Sequence, residues 1–397
     1  VRRIIPSIVV SFLAGVAAVA AVAAGPARAE GAARYRPGPV GTRPVAPASL
    51  EGALAFPRTS RLAPSSVAPC APVAALDPCD PRCDPRRGPL EVRDMYVLAQ
   101  PRLTLPAVGP DTLGCGRSSF RAQFHWSNSF GWRQDVTGED PGVRWYLVDG
   151  ETRTVDATFL HGVAADVDLG VRLPVHGRGA GELDDVIDAF HGLVPGLFKG
   201  NKREDFENDK FRVHGLLEDD TPFSQDADKG LGLGNVEGLV RWRCLDGGRD
   251  GLSLALVGRA TAPTGTAPFD TEGVEAGLQL VAAQRIATHW DLYGGVGETW
   301  YETPTFRGIR YAAWRTTVFG AVEWRFCSRG SLLFQLDYAG PLAADVANFA
   351  PDVFYTHVGV KWDLAPGTRL ELGFTENLVD QQTTADVGLW VGVEHTW

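Results

Sequence analysis

From Ser118 onward, apolar and polar residues alternate with a period of two, segment after segment. In the first of these, residues 118–130, Phe120, Ala122, Phe124 and Trp126 share one face, and Arg121, Gln123, His125 and Ser127 share the other. The pattern predicts a second strand over 143–160, kinked at Asp149-Gly150. Others follow near 166–175, 234–244, 252–261, 273–285, 289–300, 310–326, 332–338, 353–363, 368–375 and 387–397. The connections alternate in reach. Short ones fall near 162–165, 246–251, 287–288, 328–330 and 365–367; long ones near 131–142, 176–231, 262–272, 301–309, 339–351 and 376–385. About twelve strands with this alternation predict an all-β fold: a closed antiparallel transmembrane β-barrel with both ends of the sheet on one side, the periplasm. A β-sandwich would not explain the alternation.

The last segment supports the same reading. Val391, Val393, His395 and Trp397 stand at alternate positions. They resemble the C-terminal assembly signal of bacterial outer-membrane barrels, which implies the barrel-assembly machinery and periplasmic chaperones as partners during biogenesis. A terminal hydrophobic strand suits a closed sheet, because an open one would leave an exposed edge.

One stretch carries the helical period instead. In the long loop 176–231, Leu183, Val186, Ile187 and Phe190 form an apolar stripe, with acids at its start and Gly192 and Pro195 at its end. Such a stripe must pack on something, and the barrel mouth is the expected place.

Upstream of the strands, Arg2 and Arg3 precede an apolar run, and Ala27-Arg28-Ala29 supplies a small-residue cleavage site. Residues 1–29 therefore read as a signal peptide. Residues 30–87 are rich in Pro, Ala and Cys, too poor in apolar surface to order themselves, and read as a disordered periplasmic extension. The pre-barrel segment 88–117 is more apolar and is expected to tuck into or under the barrel 88–397.

Composition narrows the function. No other apolar run reaches the length of a membrane helix. A net charge of −10 excludes a nucleic-acid partner. Cys79 and Cys83 lack a matching downstream pair at zinc spacing, so the six cysteines point to disulfides rather than a metal or cofactor.

Several segments, in order, resemble one family of Gram-negative outer-membrane proteins, the domain of unknown function 3187 family. They are 88–94 (Gly-Pro-Leu-Glu-Val-Arg-Asp), 127–130 (Ser-Asn-Ser-Phe), 149–152 (Asp-Gly-Glu-Thr), 161–174 and 208–213. The resemblance covers about residues 88–397, leaves the segment before Gly88 as an addition of this chain, and implies an outer-membrane barrel without site residues.

With the apolar faces toward outer-membrane lipid, the lumen receives Arg121, His125, Asp156, Asp168, Arg172, Glu237, Arg241, Arg243, Glu275, Asp291, Arg315, Glu323, Arg325, Asp337, Lys361 and Glu371. Twelve strands lie between filled small barrels and open wide porins. The expected function is a narrow or gated pore for small solutes. The alternative is a non-conducting structural or receptor barrel with a salt-bridged lumen. A lipid hydrolase ranks third: His125, His289 and His357 fall on the inner face with Ser127, but no Gly-x-Ser-x-Gly is present. The chain is not expected to be an enzyme. Tryptophans near strand ends suggest an interfacial girdle.

Overall fold

The computed structural model describes residues 86–134, 143–181, 210–217, 220–248, 250–343, 352–377 and 384–397. The leader, the Pro-rich extension up to residue 85 and the stripe of Leu183, Val186, Ile187 and Phe190 lie outside them; Arg86 and Arg87, read as the end of the disordered extension, are instead bonded to the barrel wall. Twelve antiparallel strands close one barrel: β1 (Ser118–Gln134), β2 (Val143–Ala164), β3 (Val167–Gly179), β4 (Val236–Leu245), β5 (Leu252–Ala262), β6 (Glu275–Ala287), β7 (Trp290–Tyr301), β8 (Trp314–Cys327), β9 (Gly330–Ala339), β10 (Val353–Ala365), β11 (Thr368–Glu376) and β12 (Ala385–Thr396). Each pairs with the next, and β12 returns to β1, with Thr396 opposite Ser119. At that seam Ser118 and Trp397 exchange both backbone hydrogen bonds at 2.9 Å. No backbone edge is left along the barrel wall, which is what lets a sheet stand in lipid.

The 176–231 stretch is not all loop. β3 runs on to Gly179, and three short strands follow: 212–217 adds to the upper part of β2, 222–224 adds to 212–217, and 230–233 adds to β3. β2 and β3 rise past the ring, and these additions pair backbone groups there that would otherwise be unpaired. No helix occurs among the described residues.

The outer face is apolar on every side. Phe120, Leu173, Leu278, Phe334 and Leu372 are each 45–56% exposed at outward positions. In β12, Leu389, Val391 and Val393 point outward, and His395 stacks on Trp397 at 5.7 Å. Exposed tryptophans collect at the two rims. Trp242, Trp290, Trp324, Trp362 and Trp397 ring the short-turn end, where Trp290 and Trp324 stack at 5.9 Å; Trp132, Trp145 and Trp314 stand at the long-loop end. An apolar belt between aromatic rims is a lipid-facing surface. Phe334 sits midway along β9, so Phe334→Arg is expected to cost about 2–4 kcal/mol of barrel stability. Urea unfolding in lipid vesicles measures this; a loss below about 1 kcal/mol would place Phe334 outside the hydrocarbon.

Candidate functional site: the plugged lumen

The lumen is occupied by the chain itself. Residues 86–113 enter at the short-turn end, climb to the long-loop end, turn and descend to the start of β1. Nearly every residue from Leu90 to Val108 is buried. The segment has no strand or helix of its own beyond the tight turn at 96–102. Its buried backbone groups therefore need partners elsewhere, and wall side chains supply many of them.

On the ascending leg, residues 86–94, the Gly88 amide donates to the Tyr293 hydroxyl at 3.2 Å. Lys361 Nζ donates to the carbonyls of Arg87 and Pro89 at 3.0 and 2.7 Å. Gln335 grips both sides of Leu90: its Oε1 accepts from the amide at 2.9 Å, and its Nε2 donates to the carbonyl at 3.0 Å. The Leu90 side chain packs with Val92, Leu333 and Trp390 and sits over Gly359, where a Cβ would come within 2.7 Å of it. Only glycine on β10 leaves that socket. Asp94 accepts from Arg315 Nη2 at 2.8 Å and from the Tyr355 hydroxyl at 2.9 Å.

The tip is held as firmly. Ser127 and Thr152 donate to the Met95 carbonyl at 3.1 and 2.7 Å. Arg102 lies between the rings of Tyr301 and Tyr311, 4.6 and 4.8 Å from their centroids, with Glu275 2.9 Å from its Nε. The Leu103 amide donates to the same carboxylate. Around the turn, Tyr96, Val97, Leu98 and Ala99 join loop residues Phe211, Phe223, Phe306 and Leu342 in an apolar cap.

The descending leg, residues 103–113, is mostly apolar. Leu105 fills the space over Gly277 and Gly297, with 2.8 Å to a Cβ at either. Ala107 and Val108 pack on Ala255, Val257, Val281 and Ala283. At the bottom, Arg241 donates to the Asp111 carbonyl, and the Leu113 amide donates to Asp168 at 3.1 Å. Cys115 is disulfide-bonded, while Cys244 and Cys327 are free and exposed. Two cavities at the boundary of plug and wall hold about 10 and 40 Å³, room for one or a few waters.

Among the inward positions read from the pattern, His125, Asp156, Asp168, Arg172, Glu237, Glu275, Asp291, Arg315, Glu323, Arg325, Lys361 and Glu371 are buried on the inner face. Arg121, Arg241 and Asp337 are half-buried there. Arg243 sits at the short-turn rim beside Asp246 at 3.4 Å. His289 is exposed in the turn between β6 and β7 instead of facing the lumen, because β7 begins one residue later than the pattern suggested. Ser127 is bonded to Met95 and Thr152, not to His125, so the two do not form a nucleophile–base pair. His357 bridges Thr375 and Asp337. No metal-holding cluster occurs among the described residues.

The charges form nets that tie plug to wall. Glu91 takes Arg121 at 2.7 Å and Arg259 at 3.1 Å. Arg121 continues to Glu371 at 2.9 Å, and Glu371 to Lys361 at 3.2 Å. Arg259 continues to Glu237 at 2.5 Å, and Glu237 to Arg172 at 2.9 Å; Arg172 also pairs with Asp156. Near the base, Glu323 accepts from the Arg87 amide, the Tyr293 hydroxyl and Ser331. Asp291 joins Arg285 and Arg325 at 3.1 Å each.

The sequence pattern reads these charges as inward and expects 88–117 to tuck into or under the barrel; what it does not give is that the segment fills the lumen and pairs with them. A family model described as "Protein of unknown function (DUF3187)" matches residues 73–397, plug and barrel together. The chain belongs to that family. The DUF3187 match starts ahead of Gly88, so part of the segment taken as an addition of this chain is family sequence. No functionally curated protein matches the chain. Among solved structures, the COG4313 outer membrane channel from Pseudomonas putida F1 is similar, at 10% identity and TM-score 0.49, over 74% of this chain and 100% of that one. The P. putida toluene transporter TodX (10% identity, TM-score 0.36, 72% of this chain and 91% of that one) and the NanC porin (7%, 0.37, 70% and 98%) follow. Likenesses this distant argue nothing about function.

Gln335 offers a direct check on how the ascending leg is seated. Gln335→Leu keeps the side chain's bulk but leaves the buried Leu90 amide unpaired and the Leu90 carbonyl with the Val92 amide alone. It is expected to destabilise the plug by about 2 kcal/mol or more. Hydrogen exchange at 88–94 should rise accordingly; unchanged protection would mean that the leg does not depend on this grip.

Proposed function

We propose that this DUF3187 protein is a gated outer-membrane pore for small solutes, closed by its own residues 86–113, with its short-turn end toward the periplasm. One observation carries the reading: apart from Arg315, whose carboxylate is Asp94, the charged wall residues that grip the ascending leg also have partners on the wall. Arg121 keeps Glu371, Arg259 keeps Glu237, and Glu323 keeps Tyr293 and Ser331 when the leg is removed. A vacated lumen would be lined by satisfied polar groups that water can wet. The second reading, a permanently filled barrel, draws on the apolar packing of the descending leg.

The experiment is single-channel recording of the refolded full chain in planar bilayers, against Leu90→Asp. The new carboxylate would be buried without a partner in the socket over Gly359 and should expel the ascending leg. The wild type should be closed nearly always and the variant should conduct. If Leu90→Asp and Asp94→Ala both fold, as shown by a heat-dependent shift on gels, and both stay silent, the barrel is filled and the pore reading is wrong.

A further inference from the structure

We propose that the position filled by the Glu91 carboxylate is an anion subsite of the open pathway, and that the transported solute carries a carboxylate; this rests on the pore reading above. Among the described residues, Glu91 is the only plug residue whose carboxylate bridges two wall arginines. Arg121 reaches it from β1 and Arg259 from β5, strands four places apart around the barrel, so they meet near the middle of the lumen. Two guanidinium groups on the two oxygens of one carboxylate form a recognition geometry, not a chance contact.

The wall alone builds this place. Each arginine is held by a wall acid that stays when the plug leaves, Glu371 for Arg121 and Glu237 for Arg259. The same net contains Arg172, Lys361 and Asp156. The wall part of the net has four bases and three acids, and the plug adds one acid, Glu91, and one base, Arg93, which reaches Glu237 at 3.6 Å. With the leg gone, the wall net keeps an excess of one positive charge, and a mobile anion can take the place between Arg121 and Arg259 that Glu91 holds in the closed state. Glu91 thus acts as a tethered stand-in for the solute, and plug and solute compete for one site.

The competing candidate is a cation site at the tip, where Arg102 stands between Tyr301 and Tyr311. That cage does not survive the plug. The Tyr301 hydroxyl donates to the Leu103 carbonyl and the Tyr311 hydroxyl to the Leu98 carbonyl. Both rings are positioned by the segment that would have to leave, whereas Arg121 and Arg259 are not.

Two measurements test the proposal. In the first, the full-length Glu91→Ala variant, folded in detergent, is titrated calorimetrically with acetate and with neutral acetamide at constant chloride. Acetate should bind the variant at least tenfold more tightly than the wild type, whose site is filled, and adding Arg259→Gln should lower that affinity at least tenfold. Failure of folded Glu91→Ala to bind acetate, or equal binding of acetamide, would overturn the subsite. The second uses Leu90→Asp, which keeps both arginines and does not depend on the first variant folding. Its reversal potential across a tenfold potassium chloride gradient should report chloride preference, and a potassium-preferring current would overturn the proposal. Acetate binding with no current in any release variant would retain the carboxylate site and sink the pore reading, so the two failures are distinct.

Discussion

Glu275→Ala should unseat the tip of the plug and cost about 3–5 kcal/mol, the largest loss expected from one wall residue. Arg102 and Glu275 are each about 1% exposed, so neither charge has water to fall back on. The carboxylate does two jobs. It neutralises the guanidinium 2.9 Å away and accepts the Leu103 amide, which otherwise loses its partner in the interior. The two tyrosine rings add cation–π attraction but cannot replace a full negative charge. Removing one partner of a buried pair is costly because it leaves the other charge uncompensated, not because the pair is intrinsically strong. Replacing both, Arg102→Met with Glu275→Leu, should therefore recover the part of the loss that comes from the uncompensated charge, with the Leu103 amide still unpaired. Urea unfolding and exchange protection of residues 95–105 measure both variants. A Glu275→Ala cost under about 1 kcal/mol with the tip still protected would mean that Arg102 is held by its rings and the Thr303 carbonyl alone.

The contrast between what could and could not be read from the sequence follows from where each pattern is written. The outer face is local: Phe120, Ala122, Phe124 and Trp126 on β1 declare themselves within seven residues, and lipid enforces the same rule on every strand. Strand number, order and turn lengths follow from that rule. The plug obeys no local rule. Pro89, Pro101, Pro106 and Pro110 interrupt it, and many of its hydrogen bonds go to wall residues more than a hundred positions away, such as Gln335, Lys361 and Tyr293. Its path is written in the wall, so a window on residues 86–113 shows an apolar segment able to tuck into the barrel but not how it is seated.

A signal was nevertheless present on the wall. Ala255 and Val257 on β5, and Val281 and Ala283 on β6, put small apolar residues on the face that should meet water. A strand apolar on both faces is covered on both sides; here the outer face meets lipid and the inner partner is the descending leg at Ala107 and Val108. Gly277, Gly297 and Gly359 on inner faces gave the same hint, since each leaves room for a leucine. The charged positions were legible as inward-facing, but their partners were not. Glu275 and Arg315 take theirs from the plug, and Arg243 lies near enough to the rim to pair with Asp246 instead.

The two legs should answer equal insults differently. Asp94→Ala leaves the Arg315 guanidinium, 2% exposed on its side chain, without its carboxylate, and the Tyr355 hydroxyl without its acceptor. The expected cost of about 3–5 kcal/mol corresponds to a shift toward the unplugged state of roughly a hundredfold to several thousandfold. Leu105→Ala empties the socket over Gly277 and Gly297 at a similar cost, about 2–5 kcal/mol. Yet Leu105 lies on the leg that continues directly into β1, and below it the Asp111 carbonyl and the Leu113 amide remain bonded to Arg241 and Asp168. Loosening that leg leaves its lower half in the lumen. The ascending leg is not continuous with a wall strand; side-chain contacts hold it, among them those of Leu90, Glu91 and Asp94 and of Arg86 and Arg87 at the base. Asp94→Ala should therefore raise the open fraction in bilayer recordings about a hundredfold or more, while Leu105→Ala lowers unfolding stability with little added current. Equal currents from the two variants would mean that the plug leaves as one body, and the ascending leg would lose its separate role as the gate.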